Sequence, residues 1–518
     1  MSQRPSTLTP AFLDRLVARV PGTDGRTWKL TEVYTGEVLA ELPQSSPTDI
    51  AGAFDASREA QKIWGSWPLK RRLAVLKKFH ALVLENQMLI TDIIQAESGK
   101  NRRMAFEESC DVPMGTSHYI KRAPKVLGDK KRPGPVPVLS YSNEVRRPKG
   151  VVGIIAPWNF PFATGISDTI PALIAGNGVV VKPDNKTALS PLFGVELLEQ
   201  AGIPRGLVQM VCGEGPDVGP TFLASADYVM FTGSTATGRI IGELAGQHLI
   251  GCCLELGGKN PMVVLPDANI DEAVKGALFG AFGNTGQICM HIERLYIHDS
   301  VYEEFRDKFV AATKALRIDA TYDFGPEIGS LVSPDHKDRV ASHVDDAVAK
   351  GAVVLTGGRA RPDLGPAFYE PTILEGVTAE MIAGKTETFG PVVGLHRYST
   401  VDEAIALAND TDYGLNASVW GQDVDNAMSV ARRIDSGNVN INDILATAYA
   451  SKGTPSGGLK NSGVGARHGD QGLLKYTDAQ NIAVLKKQVM GPQGTQTYDA
   501  YAKQTTLSLK LMRKFGIR

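Results

Sequence analysis

At 518 residues the chain is too long for one compact core, and about 150 residues per domain points to two or more domains. A hydrophobic share of 43% beside 21% charged residues excludes disordered and fibrous classes. Lys and Arg number 55 against 56 Asp and Glu, a formal net charge of -1, so no overall field draws nucleic acid or an anionic membrane.

The opening residues, Met1-Ser2-Gln3-Arg4-Pro5, lack the apolar stretch of a signal peptide. Residues 47–127 then carry a helical pattern, with Leu73, Leu76, Phe79, Leu82 and Val83 recurring at three- and four-residue intervals. The run Arg132-Pro133-Gly134-Pro135-Val136-Pro137 stops any helix, and 138–146 alternates apolar and polar residues as an exposed strand does. Such a proline-bounded ribbon is either a surface hairpin or an arm reaching a neighbouring subunit. Local basic clusters at 121–131 and 503–518 read as solvated helix faces or a subunit contact.

From Gly150 short apolar runs alternate with helical segments. Residues 151–156, 178–181, 207–211 and 228–231 each read as a buried strand followed by a helix, which predicts a doubly wound parallel sheet. A second alternating region spans 260–457, with strands at 261–265, 294–297, 352–355 and 417–420, and reads as a second α/β domain. After Gln488 the chain turns rich in glycine and glutamine, and 507–518 predicts a short basic amphipathic helix, docked on the protein or, alternatively, on a membrane surface.

Cys110, Cys212, Cys252, Cys253 and Cys289 are few and odd in number, and none stands at metal-ligand spacing with a histidine. No segment reaches the roughly 18 consecutive apolar residues of a membrane span. Both features suit the cytoplasm, where a thiol stays reduced.

Two segments carry candidate chemistry. Cys289 ends Asn284-Thr285-Gly286-Gln287-Ile288-Cys289, where a glycine turn lets backbone approach a ligand and surrounding amides favour a thiolate. Glu255 opens Glu255-Leu256-Gly257-Gly258-Lys259-Asn260-Pro261, where a carboxylate beside two glycines can activate water. The Asn159 amide, in Pro157-Trp158-Asn159-Phe160-Pro161 after the 151–156 strand, is a candidate oxyanion donor. For a dinucleotide, the run Thr232-Gly233-Ser234-Thr235-Ala236-Thr237-Gly238 would set amides and hydroxyls against a phosphate at a helix start. Lys182-Pro183, at another strand end, is a second contact of the same kind.

Taken together these segments resemble the aldehyde dehydrogenase family. The likeness runs from about residue 33 to 482 and includes Glu387-Thr388-Phe389-Gly390-Pro391 and Ser456-Gly457-Gly458-Leu459-Lys460-Asn461-Ser462-Gly463. It implies an α/β fold with a Rossmann-like cofactor domain at 1–131 and 148–257 and a catalytic α/β domain at 258–457. An oligomerisation region at 132–147 and 458–490 and an extension at 491–518 complete the expected organisation. It further implies that Cys289 attacks an aldehyde, that Asn159 and the Cys289 N–H hold the oxyanion, and that Glu255 activates water to hydrolyse the thioester. The coenzyme A acylating branch typically lacks that glutamate. By the same resemblance Lys182 contacts the adenosine ribose, Gly233, Ser234 and Trp158 the phosphates, Glu387 the nicotinamide ribose and Phe389 the ring, with Leu256 and Gly257 beside it. A homodimer or homotetramer follows from the ribbon.

NAD-preferring members usually carry glutamate where this chain has Asn185, followed by Lys186. Losing that charge and gaining a cation suits a 2′-phosphate, so NADP is expected, with NAD as the competitor. The sequence also resembles actinobacterial proteins labelled succinate-semialdehyde dehydrogenases, through Arg467-His468-Gly469 and Gly472-Leu473-Leu474-Lys475-Tyr476-Thr477. The arginines expected to hold a substrate carboxylate fall on Ser167 and Gly283, and His291 replaces a second cysteine. The expected channel residues Phe162, Phe282, Ile288 and Met290 are apolar, which fits an aliphatic or aromatic aldehyde at least as well as an acidic one. Tyr449, Lys452 or His291 could still meet a carboxylate. A non-catalytic relative is disfavoured by the intact Cys289, Glu255, Asn159 and Lys182.

Overall fold

The computed structural model describes residues 4–135, 138–487 and 491–516. Val136, Pro137 and Arg518, which the sequence reading assigned to the ribbon and the terminal helix, lie outside the described residues.

The helical lead-in resolves into four helices, Pro47–Ser66, Leu69–Glu85, Gln87–Ser98 and Arg102–Leu127. The first opens with a reciprocal cap between Ser46 and Asp49 and with Pro47 at its first turn, where a missing N–H costs nothing. The third stops at Gly99, in the left-handed conformation that glycine adopts freely.

A six-stranded sheet follows, ordered Gly463–Val464, Gly251–Glu255, Tyr228–Thr232, Val151–Ile155, Gly178–Lys182 and Val208–Met210. All neighbours are parallel except the short Gly463–Val464 strand. Helices cover both faces, one through a cluster including Trp64, Phe79 and Leu173, the other through Phe54, Phe222 and Ile241. That double cover is why these strands are uninterrupted apolar runs. The strand order reverses between Val151–Ile155 and Tyr228–Thr232, the place where open sheets of this type form a ligand crevice.

The second sheet has seven strands, ordered Val353–Thr356, Thr372–Glu375, Val392–Tyr398, Ile292–His298, Asn260–Val264, Asn416–Trp420 and Asn438–Ile441. Only the Val353–Thr356 edge runs antiparallel. Four residues, Leu256 to Lys259, separate the Gly251–Glu255 strand of the first sheet from the Asn260–Val264 strand of the second. A third sheet pairs Ser140–Pro148 with Thr477–Leu485 along nine residues and with Lys130–Pro133 on its other side.

The terminal helix runs Tyr498–Phe515, starting earlier than the sequence predicts, capped by Thr497 and burying none of its residues. It is therefore not docked in the core. Among the described residues no helix is long and apolar enough to cross a membrane.

A buried ion pair ties helix to sheet below the crevice. Lys100 Nζ lies 2.5 Å from Glu108 on the Arg102–Leu127 helix, with side chains 1% and 0% exposed. Glu108 accepts the N–H groups of Phe162 and Ala163, and Lys100 donates to the Asn159 carbonyl at 2.6 Å. Removing one partner strands a charge at a cost of about 3–5 kcal/mol. Lys100→Met is expected to lower the calorimetric unfolding temperature and Lys100→Met/Glu108→Leu to restore part of the loss; equal temperatures for wild type and Lys100→Met would contradict this.

Candidate active site

The carboxyl ends of the two sheets face one cavity of about 960 Å³. Trp158 and Asn159 reach it on the loop after Val151–Ile155, and Gly233 and Ser234 on the loop after Tyr228–Thr232. Ser234 caps the helix Thr235–Gln247 through the Thr237 N–H, so that helix aims its positive end at the cavity. Leu256 and Gly257 line it from the crossing between sheets, Glu387 and Phe389 from the loop before Val392–Tyr398.

Cys289 lines this cavity, between the short turn Gly283–Gly286 and the strand Ile292–His298. It does not stand at a helix start. Asn284, Thr285 and Gly286 have φ of 49°, 56° and 72°, three successive left-handed residues that reverse the chain. A Cβ on Gly286 would collide with the Gly390 carbonyl, so only glycine fits. Asn284 Nδ2 donates to Gln287 O at 3.0 Å, and Asn159 Nδ2 donates to the same carbonyl at 3.0 Å. The oxyanion-donor candidate and the nucleophile loop are thereby joined. Asn260 Nδ2 fixes the far side of the cysteine by donating to Cys289 O at 2.8 Å.

Glu255 is the last residue of a strand rather than part of a glycine turn, and it stands just behind the cavity wall. It is 6% exposed, and among the described residues its Oε1 has no hydrogen-bond partner. Arg467, which does line the cavity, has Nη1 3.9 Å from Glu255 Oε2. Burial pushes the Glu255 carboxyl up, against the pull of Arg467 and Lys475. Burial likewise pushes the Cys289 thiol up to about 12, with Arg467 opposing and the Glu255 and Glu387 charges adding. The resting cysteine is thus a thiol at neutral pH. Burial and the Glu293 charge raise Glu387 to about 7, while the Gly258 N–H, 2.9 Å from its Oε1, works the other way.

Three of the expected site residues stand outside the cavity lining. Phe162 is fully buried in the core against Ile166 and Leu192, and its neighbour Phe160 faces the cavity instead. A helical turn begins at Pro161, and two residues along it point to nearly opposite sides. Asn185 does not line the cavity: its amide bonds Gln44 Oε1 and the Gly213 N–H, both at 3.1 Å, because it locks a tight turn between strand ends. Lys182 also stays outside the lining, its Nζ 3.1 Å from Pro183 O. Lys186, next to Asn185, is near enough for its charge to help depress His336, whose imidazole lines the cavity and is held by burial at about 4.

Phe282, Ile288 and Met290 do line the cavity, joined by Met104, Phe160 and Leu445. Of the candidate carboxylate partners, only Tyr449 faces it. Lys452 bonds Asp111 at 2.6 Å and His468 at 3.0 Å behind that tyrosine. His291 is 1% exposed, bonded to Ile288 O and facing Glu293 at 3.3 Å. Ser167, on a half-buried turn, bonds Asp111. Sequence reasoning missed Arg467 as a site residue, although its glycine-flanked setting was visible; the Gly463↔Glu255 pairing brings its loop in.

The aldehyde dehydrogenase family profile matches residues 20–482. A Mycolicibacterium smegmatis protein named "putative succinate-semialdehyde dehydrogenase (NADP(+))" is 45% identical over 511 residues, covering 98% of this chain and 99% of its own. The 3-sulfolactaldehyde dehydrogenase of Pseudomonas putida is 34% identical over 479 residues, covering 92% and 96%. Among solved structures, the Staphylococcus aureus betaine aldehyde dehydrogenase in complex with NAD+ superposes with a TM-score of 0.88 at 29% identity, covering 95% and 99%.

Proposed function

The chain belongs to the aldehyde dehydrogenase family and is an oxidoreductase of the aldehyde group, and from that premise we propose that it oxidises an aldehyde to the free acid through Cys289, with NADP as the preferred cofactor and NAD as a weaker alternative. The observation that carries this reading is that Cys289 and Asn159 line one cavity, where the Asn159 amide bonds the loop that delivers Cys289 and the lining Arg467 faces the buried Glu255.

The cavity fits a dinucleotide. Gly257 leaves its backbone open where any Cβ would collide with Glu387, and the Ser234 helix start offers N–H groups to a phosphate. Glu387 would hold the nicotinamide ribose and Phe389, with Trp158 edge-on 5.4 Å away, would flank the ring. The bound cofactor supplies the hydride acceptor. The chain's own residues do the rest. The Cys289 thiol gives up its proton to solvent water as sulfur bonds the carbonyl carbon. One Asn159 N–H bonds Gln287 O, leaving the other, with the Cys289 N–H, for the developing oxyanion. The thiohemiacetal oxyanion loses its C–H hydrogen as hydride to the oxidised cofactor and becomes a thioester. Glu255 then takes a proton from water, the water oxygen bonds the acyl carbon, and the C–S bond breaks to give the acid and Cys289.

For the 2′-phosphate, Lys186 is the cation and no carboxylate stands at Asn185. The apolar lining favours an uncharged aliphatic or aromatic aldehyde; the name of the Mycolicibacterium relative favours succinate semialdehyde as a second reading. The sheet of Ser140–Pro148 and Thr477–Leu485 leaves its outer strand largely exposed, which supports a homodimer or homotetramer joined along that edge.

Cys289→Ala is expected to abolish turnover, whereas Glu255→Gln should release one equivalent of reduced cofactor and then slow by about 10²–10⁴-fold; full steady-state turnover in either would refute the assignment. Lys186→Ala should lower the NADP-over-NAD ratio of kcat/KM roughly tenfold, the loss of one charge-assisted hydrogen bond, and an unchanged ratio would remove Lys186 from the site. Light scattering should give two or four subunits, and a monomer at working concentration would end the oligomer reading.

A further inference from the structure

We propose that Arg467 is a positioning residue for the hydrolytic step: clamped to Asp168 and Thr232, it presents one guanidinium nitrogen to Glu255 and holds that carboxylate ready as the base beside Cys289. The inference rests on the role given to Glu255 above.

The clamp is one-sided. Arg467 Nε and Nη2 reach Asp168 Oδ2 at 3.1 and 2.8 Å, and Nη2 also bonds Thr232 Oγ1. Nη1 is left toward Glu255 Oε2, at 3.9 Å. That distance is too long for a hydrogen bond, so the guanidinium attracts the carboxylate without tying it, and the Arg467 backbone N–H favours the same anion. A lysine offers a point charge, whereas the planar arginine can fork onto Asp168 and still face a second carboxylate.

The charges around Glu255 come from several elements. Arg467 and Lys475 follow the Gly463–Val464 strand, Asp168 precedes the helix Thr169–Ala175, and Cys289 is near enough for the Glu255 charge to raise its thiol. Arg467 and Lys475 favour the Glu255 anion and Asp168 opposes it. Lys475 is turned to Ala466 O and the sulfurs of Met230 and Cys253. Without Arg467, two buried carboxylates, Asp168 and Glu255, would share a pocket with little to offset them, and the Glu255 carboxyl would be pushed further up. A protonated Glu255 cannot accept one from water, so the thioester would persist.

The sign of the effect follows. Glu255 works as a base above its pKa; removing Arg467 raises that pKa, so the acid limb of the steady-state rate moves to higher pH. Removing Asp168 lowers it, and the limb moves the other way.

The test uses the full-length enzyme with NADP+ and propionaldehyde, recording the pre-steady-state burst of reduced cofactor and the pH profile of kcat. Arg467→Gln is expected to keep its burst, to lose about tenfold or more in kcat at neutral pH, and to regain it at alkaline pH, since one pKa unit is tenfold on that limb. Arg467→Lys should shift less, and Asp168→Asn should shift the limb to lower pH. A uniform loss across pH in Arg467→Gln, or an alkaline shift in Asp168→Asn, would overturn the proposal. If Arg467→Gln does not fold, Arg467→Lys and Asp168→Asn still decide it through the opposite directions of their shifts. A Glu255→Gln enzyme with normal steady-state turnover would instead remove the role of Glu255, a result that the arginine variants do not produce.

Discussion

Two buried ion pairs hold the loops that carry the chemistry. Loops leaving the ends of parallel strands have no ladder to bond their backbone groups, yet here they are buried, and each buried N–H and C=O needs a partner. Glu108 receives the N–H groups of Phe162 and Ala163 while Lys100 donates to the Asn159 carbonyl. Across the cavity Glu293 receives the N–H groups of Thr388 and Phe389 while Lys259 donates to Thr386 O and to Glu293 itself. Burial works against the Glu293 charge, but Lys259 outweighs it and keeps that carboxyl below its usual range. A buried pair adds little net stability over a well-packed apolar pair. Its effect is on placement: one pair fixes Asn159, the other fixes Glu387 and Phe389.

Between those anchors the backbone is strained where Cys289 is delivered. The left-handed run Asn284-Thr285-Gly286 and the left-handed Phe389, at φ 57°, face each other through the contact of Gly286 with the Gly390 carbonyl. Conformations of this kind cost on the order of 1–3 kcal/mol each and persist when neighbours over-determine them. The neighbours here are the Gln287 side chain, which accepts the Val332 N–H and donates to Asn284 O, and His336, which donates to Phe389 O. Cys289 is thus aimed by a lattice of side-chain to backbone bonds rather than by a helix.

Buried parallel strands were legible because their burial on both faces makes them plain apolar runs, as at Val151–Ile155 and Asn260–Val264. Gly251–Glu255 escaped notice since a glycine, two cysteines and a glutamate carry no such run, and Asn438–Ile441 because its asparagines alternate with apolar residues to bond the 416–444 segment. Motif residues were legible in identity but not in direction. Phe160 and Phe162 exchange roles through the onset of one helical turn, and Asn185 turns its amide to Gln44 and Gly213, contacts made by strands far away in sequence. Arg467 reaches Glu255 only through the pairing of two short strands, which no local pattern announces.

The same charge economy bears on substrate choice. Each buried cation near the cavity is already matched by an acid of the chain: Lys100 by Glu108, Lys452 by Asp111, Arg467 by Asp168. Of the cations that line it closer to solvent, Arg103 and Lys275 are held by Glu327 and Glu272, while Arg339 donates to the Glu387 carbonyl, away from the apolar cluster around Cys289. A substrate carboxylate would have to displace one of these acids, leaving it unpaired in a low-dielectric wall, which costs more than the new pair returns. An uncharged tail meets no such conflict against Met104, Phe160, Ile288, Met290 and Leu445. In the reaction proposed above, discrimination along this channel would rest on shape and apolar contact, with each methylene contributing about 0.8 kcal/mol, and the ionic groups would act on the thiol and the water rather than on the far end of the aldehyde.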